Sequence, residues 1–363
     1  MSEENNNVAG AGESGTIEIR DGEDFDIRAV HAKLRAEVEE LPDGELEVRQ
    51  FPSGASNLTY LLRIDGWEGV LRRPPFGKIP PKAHDMGREA GILGRINPVY
   101  PLAPKPYFFT DDKNIIGAPF YVMERRKGVV LDDSWPDGLE PSRELCRGLS
   151  ETVIDTLVEL HAVDIEEAGL ADLGRPEGFL ERQAKGWVGR YEKAKTSDYP
   201  EEKPLVLWLM KDIPESPEPT IIHNDFKLNN LILAPEDPTS VIAVVDWEMT
   251  TTGDPLFDLA VSMTYWARHD DPEGLQKVLP TVVSTSPDFY TRDEMMERYA
   301  EKSGRDLSEM RWHIVFGYFK LAVILQQIYA RYHAGQTRDE RFRDFDRRVE
   351  NLIFHAYGLT GRG

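Results

Sequence analysis

The stretch from residue 221 to residue 248 constrains the fold more than any other part of the chain. Ile221-Ile222 leads into His223-Asn224-Asp225-Phe226-Lys227-Leu228-Asn229-Asn230. The apolar Leu231-Ile232-Leu233 follows, and a second apolar run from Val241 to Val245 delivers Asp246-Trp247-Glu248. Short apolar runs separated by polar turns read as strands. The first loop therefore aims Asp225 and Asn230 into one cleft, and the later strand brings Asp246. Carboxylates and an amide anchored in this way hold a hard cation through oxygen, while one carboxylate stays available for a hydroxyl proton. Phosphoryl transfer requires that division of labour.

This β-rich island stands in a chain whose pattern changes along its length. Residues 1–18 mix Glu, Asn, Gly and Ser without periodicity and read as a mobile tail. Residues 26–41 carry Val30, Leu34, Val38 and Leu41 at helical spacing and close on the turn Pro42-Asp43-Gly44. Strand-like runs follow at 46–51, 58–64 and 69–72, joined by the turns Ser53-Gly54-Ala55-Ser56 and Asp65-Gly66. A proline-rich break at 74–81, a helix over 83–96 and two strands at 106–110 and 119–124 complete the first part. Beyond Gly128 the spacing predicts helices over 145–163, 178–194, 203–211, 292–302, 310–332 and 339–357, around the island at 221–247. The class is α+β: an N-terminal lobe over 19–127 with a small antiparallel sheet, joined at about residues 124–128 to a mostly helical C-terminal lobe over 128–363.

Charge and cysteine usage narrow the partners. Asp and Glu number 64 against 43 Lys and Arg, a net charge of −21. That balance argues against general binding of nucleic acid or an anionic membrane, although one local basic pocket is compatible with it. Cys146 is the single cysteine, so neither an intramolecular disulfide nor a Cys-based zinc or iron–sulfur site can form, and a cytoplasmic location is expected. The N-terminus has neither the basic start nor the apolar core of a secretion signal. The most apolar run, 314–328, is interrupted by Lys320, Gln326 and Gln327 and reads as a core helix, too short and too polar for a membrane span of about 20 apolar residues.

Taken together, HNDFKLNN (223–230), VVDWE (244–248) and TTGDPLFDLA (251–260) resemble the catalytic and metal-binding loops of the aminoglycoside phosphotransferase family of kinase-like small-molecule kinases. The resemblance covers roughly residues 45–335. It is nearest to kinase-like domains found alone in bacteria or fused to acyl-CoA dehydrogenases, which share the phrasing FPSGASNLTYLL (51–62) and VLRRPP (70–75). It implies a bilobal protein-kinase-like fold, ATP and Mg²⁺ as cofactors, and a small-molecule hydroxyl as acceptor.

By that resemblance Asp225 is the catalytic base, and Asn230 and Asp246 are the Mg²⁺ ligands that bridge the ATP phosphates. His223 matches a structural histidine that fixes the loop, with a proton shuttle as the alternative. Asp258 matches a buried aspartate that tethers the catalytic loop. Asp254 reads as a turn or helix N-cap, and Glu248 either lies near metal or substrate or faces solvent. In the N-terminal lobe, residues 51–60 match the phosphate-covering hairpin, in which Ser53 and Ser56 would meet a phosphate; with one glycine, an ordinary β-turn is the other reading.

Val70 and Arg72 share one face of their strand, so Val70 would pack on adenine while Arg72 reaches the α/β-phosphates. These kinases usually place a Lys at that position, so a bulkier, bidentate guanidinium is a departure. Glu89 is the partner expected for Arg72, against a solvated surface Glu. Met123 matches the gatekeeper, with the Glu124 carbonyl and the Arg126 amide bonding adenine. The basic run Arg125-Arg126-Lys127 is either a solvated hinge surface or a phosphate contact. In the helix from residue 312 to residue 332 some of Lys320, Gln326, Gln327, Tyr329 and Arg331 would line the acceptor pocket, the rest being surface.

The activity expected is ATP- and Mg²⁺-dependent transfer of the γ-phosphoryl group to a small-molecule hydroxyl, with a hydroxyacyl-CoA-like acceptor favoured by the fused-domain phrasing. An aminoglycoside or amino-alcohol kinase is the alternative acceptor class. A nucleotide-binding module without catalysis is the alternative of another kind, set against it by the intact Asp225, Asn230 and Asp246. A protein kinase is disfavoured, because no Ala-Pro-Glu-like segment follows Asp246.

Overall fold

The structure, a computed structural model, describes residues 15–52, 57–76, 84–278, 281–337 and 339–361. The turn bearing Ser53 and Ser56, most of the expected tail and much of the proline-rich break lie outside the described residues. The chain divides between Lys127 and Gly128 into two compact units.

The first unit opens with α1 (Ile27–Glu37), capped by Asp26, whose carboxylate accepts from the N–H groups of Arg28 and Ala29. The helix stops four residues short of the predicted end, because Val38 turns to an extended conformation with its side chain buried. The sheet comprises β1 (Glu47–Gln50), β2 (Leu58–Ile64), β3 (Trp67–Arg73), β4 (Pro106–Thr110) and β5 (Phe120–Glu124), in the order β1-β2-β3-β5-β4 and antiparallel throughout. Asp65 and Gly66 both take positive φ at the β2–β3 hairpin, the backbone that a two-residue turn of this hand demands. Side chains alternate, so Tyr60, Leu62, Leu71, Phe120 and Val122 meet Val30 and Leu34 of α1 in one core. The helix α2 (Met86–Ile96), capped by Asp85, packs on β4 and β5, and a short helix α3 (Lys113–Ile116) precedes β5.

The second unit carries the helices α4 (Arg143–His161), α5 (Phe179–Ala194) and α6 (Glu202–Lys211) before the island. The island is two separate hairpin-like pairs. The strand β7 (Leu231–Ala234) pairs antiparallel with β8 (Asp237–Val244), and β6 (Thr220–Ile222) pairs with β9 (Thr251–Gly253), which extends the island beyond its predicted end. Next come α7 (Pro255–Tyr265), α8 (Glu273–Gln276), α9 (Arg292–Ser303), α10 (Met310–His333) and α11 (Phe345–Leu359). The last begins later than predicted, after a 3₁₀ turn at Glu340–Phe342.

The core of this unit forms around α10, which packs on α5, α7 and α11. By length and composition α10 is long and apolar enough to cross a membrane, contrary to the expectation that the run is too short; 67% of its most apolar window is buried inside the fold, as befits a core helix. Gly317 lets it approach α7 closely, since a Cβ there would stand 2.9 Å from Thr264 Cγ2 and 3.2 Å from the Ala260 carbonyl oxygen.

Candidate active site

In the second unit the loop between β6 and β7 is held from several sides. The Asp258 carboxylate, fully buried on the first turns of α7, accepts from the backbone N–H of His223 through Oδ2 and of Asn224 through Oδ1, both at 2.7 Å. His161, at the end of α4, reaches the same Oδ2 with Nε2 at 3.2 Å, and its Nδ1 lies 2.7 Å from the Tyr299 hydroxyl. Burial pushes the Asp258 carboxyl up, but the His161 hydrogen bond and the nearby imidazole and N–H groups outweigh it and hold the group below its ordinary value.

His223 is fully buried, edge-on to Trp247 and Phe226. Its Nε2 donates to the Val245 carbonyl at 3.1 Å, so Nε2 carries a hydrogen, while Nδ1 has no hydrogen-bond partner among the described residues. That ties the histidine to the strand that brings Asp246. Asn224 sits in the left-handed region with φ +67°, and its side-chain amide donates to the Met249 carbonyl at 3.0 Å.

Asp225 is partly buried between two donors. Lys227 Nζ stands 2.9 Å from Asp225 Oδ2, and Asn230 Nδ2 donates to the same oxygen at 3.1 Å and to the Asp225 carbonyl at 2.8 Å. The Lys227 ammonium also lies 4.9 Å over the Tyr265 ring. Tyr265 ends α7, and its phenol is pushed well above its ordinary value, first by burial and then by the carboxylates of Asp225 and Asp246.

Asn230 and Asp246 are brought together by strand register. Leu231 faces Val244, so Asn230 and Asp246 leave the same end of the β7–β8 hairpin, and the Val245 N–H donates to the Asn230 carbonyl at 2.9 Å. Asp246 takes positive φ, +71°, which turns the chain sharply into the Trp247–Met249 turn. With Nδ2 committed to Asp225, the amide oxygen of Asn230 is left as its candidate ligand atom. Among the described residues no group of three or more His, Cys, Asp or Glu could cage an ion. One carboxylate and one amide oxygen instead fit a hard divalent cation that completes its shell with water and phosphate oxygens. Glu248 is half-buried.

Two residues near this loop escaped prediction as site groups. Lys227 stands two positions after Asp225, and its charge so near that carboxylate is the sequence signal for their ion pair. Tyr265 offered none, since its approach to Asp225 depends on the whole length of α7. Of the polar residues of α10, Lys320 is buried against the loop and Gln326 is buried with Nε2 donating to Ala194 and Thr196, whereas Gln327 and Arg331 are exposed and Tyr329 is half-buried.

In the first unit, Val70 and Met123 are cross-strand neighbours on β3 and β5, both largely buried on one face of the sheet. Arg72, two residues along and on the same face, donates from Nη1 to the Glu89 carboxylate of α2. Glu89 is 1% exposed, so it is no solvated surface residue. Arg73 points the other way and donates to the Ile116 carbonyl at 3.1 Å. The basic run after β5 is a partly solvated hinge surface, with Lys127 exposed, and each of its three charges is paired with a carboxylate. Arg125 and Lys127 pair with Glu68 at 2.6 and 2.9 Å, and Arg126 pairs with the Glu124 carboxylate at 2.7 Å. Burial raises the Glu68 carboxyl, but Lys127, Arg63 and Arg125 together bring it below its ordinary value.

Comparison with known proteins agrees with this architecture. The profile of the phosphotransferase enzyme family, APH, matches residues 47–313. Acyl-CoA dehydrogenase family member 11 of Gallus gallus is 32% identical over 359 residues, covering 96% of this chain and 45% of its own length. Acyl-CoA dehydrogenase family member 10 of Mus musculus is also 32% identical, over 87% of this chain and 29% of its own. The chain thus spans less than half the length of these relatives. Among solved structures, a protein of Ralstonia eutropha JMP134 assigned to the aminoglycoside phosphotransferases superposes with a TM-score of 0.77 at 27% identity, covering 93% of this chain and 99% of that one. The aminoglycoside phosphotransferase APH(4)-Ia, solved as a ternary complex with ADP and hygromycin B, shares the fold at a TM-score of 0.58 and 16% identity, over 92% and 98% of the two chains.

Proposed function

The chain belongs to the phosphotransferase enzyme family, and from that premise we propose that it transfers the γ-phosphoryl group of ATP to a hydroxyl of a small molecule, with Mg²⁺ as the metal. The observation that carries the reading is Asp225, fixed between Lys227 and Asn230 beside the hairpin end from which Asn230 and Asp246 emerge. Asp225 would receive the hydroxyl proton as the oxygen attacks the γ-phosphorus in line. The bond from that phosphorus to the β–γ bridging oxygen breaks, and ADP leaves with the electron pair. Lys227 would neutralise charge on the transferring oxygens. Asn230 and Asp246 would hold Mg²⁺, which when bound supplies further neutralisation of the phosphates.

In the first unit, Val70 and Met123 offer an apolar wall suited to adenine, with the Glu124 carbonyl and Arg126 amide to bond its edge. Arg72, oriented by Glu89, would take a phosphate in place of the more usual lysine. A fold neighbour solved with ADP supports a nucleotide as donor.

Two observations favour an acidic acceptor such as a hydroxyacyl-CoA over a polycationic aminoglycoside. Curated relatives carry acyl-CoA dehydrogenase names. Lys227 and Lys320 lie around Asp225, and Lys320 is close enough to Lys227 and to Arg190 for their charges to interact. The test is transfer of ³²P from [γ-³²P]ATP to 3-hydroxybutyryl-CoA, hygromycin B and choline, by wild type and by Asp225→Asn. We expect label on the thioester and a rate lower by about 10²- to 10⁴-fold in the variant. Equal rates in both proteins would overturn the role of Asp225, and label only on hygromycin B or choline would overturn the acidic acceptor.

A further inference from the structure

Lys320 occupies a place where a charge is costly. It lies in the middle of α10, 4% exposed, with its ammonium 5.2 Å from the Phe257 ring centroid and 5.8 Å from that of Trp187. Burial pushes it down to about 8, and Arg190 and Lys227 act in the same direction, against the opposing pull of Asp225 and Asp258. A methionine would fill such a site without that penalty. The hydrogen bond that Lys320 makes shows what the ammonium serves: Nζ donates to the Asn224 carbonyl at 3.2 Å.

That carbonyl belongs to the peptide joining Asn224 to Asp225. Each polar group of Asn224 has its own tether. Its N–H goes to Asp258 on α7, its side-chain amide to the Met249 carbonyl after Asp246, and its carbonyl to Lys320 on α10. The first two leave the peptide plane beyond Cα free to turn about ψ of a residue already in the left-handed region. Only rotation of that plane, among these groups, moves the N–H and Cα of Asp225 directly. We propose that Lys320 is a positioning residue, which locks the Asn224–Asp225 peptide so that the Asp225 carboxylate keeps the orientation in which it meets the acceptor hydroxyl. The inference rests on Asp225 as the base.

The experiment is a double-mutant cycle on the full chain, using Lys320→Met, Asp225→Asn and the pair. Two readouts are followed: phosphorylation of 3-hydroxybutyryl-CoA, and ADP release with water alone as acceptor. Lys320→Met is expected to lower kcat on the order of 10²-fold in the wild-type background with KM for ATP within about threefold, and to cost nothing further once Asp225 is Asn. Lys320→Gln, which keeps a donor for the carbonyl and is the gentler change should Lys320→Met unfold, is expected to recover most of kcat. Equal losses from Lys320→Met with and without the Asp225 carboxylate would overturn positioning in favour of general structural damage. So would an unchanged kcat in Lys320→Met, or a Lys320→Gln protein that folds and is as slow as Lys320→Met. Wild-type kcat in Asp225→Asn alone would instead bring down the base assignment, a different and separable failure.

Discussion

Two buried Asp–His pairs sit four residues apart at the start of α7 and are put to different uses. Asp254 joins His313 of α10 through Nε2 at 3.3 Å, and Asp258 joins His161 of α4 at 3.2 Å; all four side chains are at most 3% exposed. Asp254 spends its other oxygen on its own helix, accepting from the N–H groups of Leu256 and Phe257 as an N-cap. Asp258 spends both oxygens on another segment, the N–H groups of His223 and Asn224. The same chemistry one helical turn apart therefore gives one group that starts a helix and one that sets the backbone before Asp225. What an aspartate does here depends on which orphan donors lie within reach, not on its burial or its histidine.

Replacing each aspartate should separate the two uses. Asp258→Asn leaves one amide oxygen for two buried N–H groups, and its NH₂ faces one of them. We expect kcat to fall on the order of 10²-fold, from the misplaced loop, together with a lower Tm. Asp254→Ala removes a cap worth about 0.5–2 kcal/mol and should appear as a lower Tm with kcat within about threefold of wild type. If Asp254→Ala costs as much kcat as Asp258→Asn, the contrast between the pairs is void.

The smallest expected effect is on pH dependence. The Asp258 carboxyl is held below its ordinary value in the folded chain, so in the acid range the unfolded chain binds the extra proton first. Its contribution to stability is thus whole above about pH 4 and is lost as the pH falls through the folded value. In urea titrations the gap between wild type and Asp258→Asn should be constant from pH 7 to pH 5 and narrow toward pH 3. A gap that widens on acidification would reverse the assigned sign.

Local patterns made part of this readable in advance. The loop from His223 to Asn230 lies between short apolar strands, so its place was legible from neighbouring residues, whereas the contacts that hold its backbone come from Asp258, Met249 and Lys320. The pairing of Arg72 with Glu89 follows from side-chain alternation along β3 and an intervening helix of known place. The helix α7 was not predicted as a helix, because almost all of its residues are buried and a helix buried all round shows no stripe at the 3.6-residue period. Contacts distant in sequence were also hidden. Glu68 meets Arg125 across 57 residues and His161 meets Asp258 across 97, and neither member of either pair advertises its partner. Lys320 was visible as a polar residue on an apolar helix, but its target was not.

The left-handed backbone at Asn224 sets out what substitution history can leave at that position. Glycine takes φ +67° without strain yet has no amide to link the Asp225 loop to Met249, whereas asparagine tolerates the conformation and keeps the link. β-Branched and bulky residues satisfy neither condition. A chain with glycine there would have a looser loop and one with asparagine a cross-linked loop, and the two forms should differ more in how firmly Asp225 is held than in whether the chain folds.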